Sequence, residues 1–71
     1  MDRDTLLDEL RKVQHEVVAG ERKLAEQESL LIALKGQNED TTNALAVLEQ
    51  MRESQRRRDE DRQRLLSLLQ P

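Results

Sequence analysis

A chain of 71 residues, 38% of them charged and with a formal net charge of -3, is one small unit below the size at which a single core easily stabilises itself. It contains no cysteine and no aromatic residue, which excludes disulfides, thiolate metal sites, thiol catalysis and aromatic stacking platforms. Leu, Val, Ile, Ala and Met must therefore supply all apolar burial, and an acidic, interleaved charge pattern argues against a basic nucleic-acid surface.

The first predicted element is a helix over about 4–35. It begins near Asp4 or Thr5, with Asp2, Asp4, Asp8 and Glu9 placing negative charge where the helix dipole favours it. Thr5 and Asp8 have the spacing of a capping box. Leu10, Val17, Leu24 and Leu31 fall at heptad position a, while Leu6, Val13, Gly20, Gln27 and Leu34 fall at d. Gly36 is the expected stop, taking the left-handed conformation after the helix, with Lys35 complementing the dipole.

A turn over about 36–40 follows, because Gly36 to Asp40 carry no apolar side chain. Asp40 is the expected N-cap of a second helix over about 41–69, with Thr41 and Thr42 as competitors. Thr41, Leu48, Gln55, Arg62 and Leu69 then fall at a, and Ala44, Met51, Arg58 and Leu65 at d.

The two stripes mirror each other. Both alternate steps of three and four away from the break, and paired in order every couple sums to 75. A constant sum is the signature of two helices folding back on each other, so the expected fold is all-α, an antiparallel hairpin with coiled-coil-like packing. Leu7, Val18, Ala25 and Ile32 lie beside the seam on the first helix, and Leu45, Val47, Leu66 and Leu68 beside it on the second. One hairpin cannot cover so wide a stripe, whereas two hairpins in a four-helix bundle can, which predicts a homodimer first, a higher oligomer second and an unknown protein partner third.

Residues able to carry chemistry are few. His15, the single histidine, sits on the outer face beside Arg11 and Ala19, without converging ligands for a metal. The acids spread along exposed faces, Gly20 and Gly36 are isolated rather than part of a phosphate loop, and Ser29, Ser54 and Ser67 have no base alongside. No enzymatic activity, cofactor or metal is expected. Without a run of about 18 apolar residues or an apolar leader, a membrane span is not expected either, and a cytoplasmic location is.

The segment from Arg52 to Arg64 holds six arginines against Glu53, Asp59, Glu60 and Asp61. Its bland reading is a solvated, salt-bridged helix face. Its sharper reading is a nucleic-acid contact through Arg52, Arg56, Arg57 and Arg64. Arg58 and Arg62 differ, because they occupy the seam opposite Val17 and Val13, next to the layer in which Gln55 faces Gly20. An unpartnered buried arginine is costly, which makes Glu9, Glu16 and Glu21 the expected partners. This polar middle is either a device that sets register and oligomeric state or an open docking surface; polar seam positions in coiled coils favour the first.

His15, Gly20-Glu21-Arg22, Ala25 and Gln27 precede the break; Asp40-Thr41-Thr42 and Asp61-Arg62 leading into Arg64-Leu65-Leu66 follow it. On these residues the segment 15–69 resembles a group of small, largely uncharacterised helical proteins from alphaproteobacteria. The resemblance implies a bacterial helical hairpin with no catalytic residues. Within such a hairpin Gly20 would permit close helix approach and Arg62 would pair with Glu21 or Glu16, roles that do not follow from the resemblance itself.

The sequence thus predicts a protein–protein interaction module, a self-associating hairpin acting as a small scaffold or adaptor. Its apolar contacts would come from Leu6, Leu10, Val13, Val17, Leu24, Leu31, Leu34, Leu48, Met51, Leu65 and Leu69. The alternative is a nucleic-acid-associated regulator using the arginine segment.

Overall fold

The computed structural model describes residues 2–70 as two helices, α1 (Arg3–Gly36) and α2 (Thr42–Leu69), packed as an antiparallel hairpin. The rod measures 53 × 14 × 14 Å, close to the length of about 51 Å that 34 helical residues occupy at about 1.5 Å each.

The helix start is one turn earlier than the Thr5–Asp8 box suggests. Asp2 is the N-cap, and its carboxylate accepts the backbone N–H of Thr5 at 2.7 Å. Thr5 therefore donates to a cap rather than acting as one. The extra turn lets Arg3 reach the other end of the chain, where its guanidinium donates to the Leu69 carbonyl at 3.4 Å.

At the break, Gly36 is still helical and Asn38 takes the left-handed conformation, with φ of 59°. Glu39 N–H donates to Leu34 O at 2.9 Å and Asn38 N–H to Lys35 O at 3.1 Å. These two bonds form a Schellman motif, in which the left-handed residue sits just past the cap. Asparagine adopts that conformation more readily than other non-glycine residues, so the chain did not need its glycine there.

Thr41, not Asp40, is the N-cap residue of α2, and its carbonyl accepts the N–H of Leu45 at 2.9 Å. Asp40 nevertheless does the capping chemistry from one position earlier. Its carboxylate accepts the Thr42 N–H at 3.0 Å and the Thr42 hydroxyl at 2.7 Å.

Burial follows the three-four stripe: every position of both runs is buried or half-buried. The buried side chains divide into two clusters. Leu6, Leu10, Val13, Val17 and Leu65 form one, joined by Leu66 and Leu69. Leu31, Ala44 and Leu48 form the other near the turn, joined by Leu24 and Leu34. Leu48 and Leu65 are the most enclosed, each 2% exposed. Met51 is half-buried between the clusters.

Candidate functional site

The layer separating the two apolar clusters is where the polar seam residues meet. Gly20 is buried on α1, and Gln55, Arg58 and Arg62 are half-buried on α2. Gln55 folds over Gly20 and donates from Nε2 to the Val17 carbonyl at 2.7 Å. Arg58 donates to the other end of the same amide, Oε1 of Gln55, at 3.3 Å. The absence of a side chain at Gly20 makes this possible. A Cβ there would lie 2.8 Å from Gln55 Cδ and 3.0 Å from Arg58 Nη1.

A second amide does the reciprocal job nearer the turn. Gln27, on α1, donates from Nε2 to the Ala44 carbonyl of α2 at 3.0 Å. Each of these two glutamines therefore ties its own helix to the backbone of the other. A hydrogen bond of this kind is worth about 1 kcal/mol net, and its geometry is lost if one helix slides by a turn. Gln27 was visible in the sequence only as a polar residue at d.

The expected arginine–glutamate pairs across the seam do not form. Arg62 pairs instead with Asp59 on its own helix, at 2.6 Å from Nη2 to Oδ1, and its buried Nε has no hydrogen-bond partner. Glu21 lines the same shallow groove as Arg62 without bonding to it. The other four ion pairs among the described residues, Arg11–Asp8, Arg52–Glu49, Arg57–Glu53 and Arg64–Asp61, also lie within one helix. In all five the acid precedes the base by three or four residues, the orientation that supports a helix by a few tenths of a kcal/mol each. They stiffen the helices and leave their register to the glutamines.

This pairing also bears on the arginine segment. Arg52, Arg57 and Arg64 each hold a carboxylate within 3.1 Å, which reduces the positive field that phosphates would meet. Arg56 is exposed and in no ion pair among the described residues. His15 is exposed on the outer face, and no cluster of three or more His, Cys, Asp or Glu among the described residues could hold a metal ion. No helix among them is long and apolar enough to cross a membrane.

Outside the seam, large apolar side chains face solvent. Ile32 is 71% exposed, Val18 58% and Leu68 56%, with Leu30, Leu45 and Val47 also exposed. Ile32, Val18 and Leu45 lie on one side of the seam, together with the half-buried Leu7 and Leu66. Leu30, Val47 and Leu68 lie on the other. No family model, curated protein or solved structure matches this chain, so its surfaces are the guide to its function.

Proposed function

We propose that this protein is a protein–protein interaction module, a hairpin that associates with a second copy to form a four-helix bundle and so acts as a small scaffold or adaptor. The observation that carries this reading is the mismatch between core and surface. The hairpin fully buries only small apolar clusters, while on one side of the seam Ile32 and Val18 remain more than half exposed beside an exposed Leu45. Side chains of this size stabilise by about 1.5–3 kcal/mol each when buried, and a chain this short has few other sources of stability. Association would cover them and enlarge the core at once. Sedimentation velocity across the micromolar range tests the proposal. A dimer whose helicity and cooperativity rise with protein concentration is expected; a folded, cooperative monomer throughout that range would sink it.

A further inference from the structure

The exposed face on the Ile32 side of the seam is built as its own complement. On α1 the positions 4, 7, 11, 14, 18, 21, 25, 28, 32 and 35 form a second stripe with alternating steps of three and four, parallel to the buried one. Turned antiparallel on a copy of itself so that couples sum to 39, this stripe sets Leu7 against Ile32, Asp4 against Lys35, and Arg11 against Glu28. Mixed couples, Gln14 with Ala25 and Val18 with Glu21, occupy the centre. Sliding one copy by a heptad sets Arg11 against Lys35 in one direction; in the other, Asp4 meets Glu28 while Arg11 meets Glu21, and Leu7 faces Ala25 instead of Ile32, so charge excludes the first slip and apolar pairing the second.

The same twofold axis is tested independently by α2. It crosses α1 between Ala19 and Gly20, and because the buried couples sum to 75 it crosses α2 between Gln55 and Arg56. Rotation about that point brings Leu45 against Leu66 and Arg52 against Asp59 of the second copy. Both couples are complementary, and all four side chains lie on the same side of the seam as Ile32. A single axis thus pairs Leu7 with Ile32 and Leu45 with Leu66 and sets opposite charges together on both helices, with Val18 facing Glu21.

We infer that the second copy docks on this face, α1 against α1 and α2 against α2 in antiparallel fashion, with the Gly20–Gln55 layer at the dyad. The inference rests on the self-association proposed above and specifies its geometry. Each of Arg11, Glu28 and their couples recurs twice in the dimer, because a twofold interface is isologous.

The test is a charge exchange read by sedimentation equilibrium. Arg11→Glu and Glu28→Arg change exposed side chains, so far-UV circular dichroism should show both variants still helical. Each variant alone sets like charges against each other twice and should weaken dimerisation by about tenfold or more. An equimolar mixture restores opposite charges at both sites, and should recover dimers of near wild-type affinity that contain one copy of each. As a second measurement, Leu7→Cys and Ile32→Cys chains, made in a protein with no cysteine of its own, should cross-link to each other on oxidation far faster than either does to itself. A dimeric wild type whose variants associate unchanged, with no preference in the mixture or in cross-linking, would overturn this geometry and leave self-association standing. A wild type that stays monomeric would overturn both.

Discussion

Placing a side chain at Gly20 tests the central layer directly. Alanine is favoured over glycine in a helix interior by about 1 kcal/mol, so Gly20→Ala would stabilise an isolated helix. In this protein the new Cβ would meet Gln55 Cδ at 2.8 Å and Arg58 Nη1 at 3.0 Å. The Gln55 amide would have to move away, giving up its bond to the Val17 carbonyl and its contact with Arg58. Losing that bond and leaving a half-buried amide poorly satisfied costs about 1–2 kcal/mol, which offsets or exceeds the propensity gain. Gly20→Ala alone is therefore expected to be neutral or destabilising by about 1 kcal/mol. With Gln55→Ala already present only the end of the flexible Arg58 side chain, at 3.0 Å, has to give, and the same change should stabilise by about 1 kcal/mol. The coupling, about 1–2 kcal/mol, is read from a double-mutant cycle of urea unfolding curves followed by circular dichroism. All four proteins must be compared at one chain concentration, since association shifts apparent stability. If Gly20→Ala stabilises equally in both backgrounds, Gln55 does not pack over Gly20 and the account of the layer fails.

Leu48→Ala and Leu65→Ala, each removing a side chain only 2% exposed, should cost about 2.5–4 kcal/mol, while Leu24→Ala and Met51→Ala at half-buried sites should cost clearly less. Chemical denaturation of the four variants checks the order; equal losses would mean that the two clusters are not the core. Gly36 is helical with open space around its missing Cβ, so Gly36→Ala should stabilise by about 1 kcal/mol. Asn38→Ala should destabilise by about 1 kcal/mol, because a left-handed backbone penalises a Cβ without a local polar group. The opposite signs, read from melting temperatures, would restore Gly36 as the stop. The backbone N–H and hydroxyl groups of Thr5 and Thr42 hold the Asp2 and Asp40 carboxylates below the ordinary range. A lowered folded pKa stabilises above the unfolded value and is lost as pH falls through the folded one. The melting temperature of wild type should exceed that of an Asp2→Ala/Asp40→Ala variant at neutral pH, and the gap should close below about pH 4. A gap that persists in strong acid would mean that the carboxylates do not act as caps.

The hairpin was legible because its evidence is periodic and redundant. A helix returns its side chains to one face every 3.6 residues or so, and two antiparallel helices in contact hold the sum of facing positions constant. Leu6 with Leu69 and Leu31 with Ala44 therefore announce the same geometry twice, and many such couples outweigh any single exception. Even the polar character of the middle was readable, since Gly20, Gln55, Arg58 and Arg62 fall together in a stripe that is apolar at most other positions.

The partners within that middle were not readable. Arg62 had Glu21 within reach in principle and took Asp59, while Gln55 took the Val17 carbonyl, an acceptor that every residue carries and no motif marks. Likewise Asp2 capped α1 in place of the Thr5–Asp8 box, and Asn38 supplied the left-handed residue beside an available Gly36. Such choices separate alternatives that differ by about 1 kcal/mol, the scale of one hydrogen bond or one cap. Periodicity averages over that scale and is blind to it. Only the packed structure, in which rotamers and backbone ends compete for the same space, selects one, and here it made two glutamines rather than the arginines the ties that hold the helices in register.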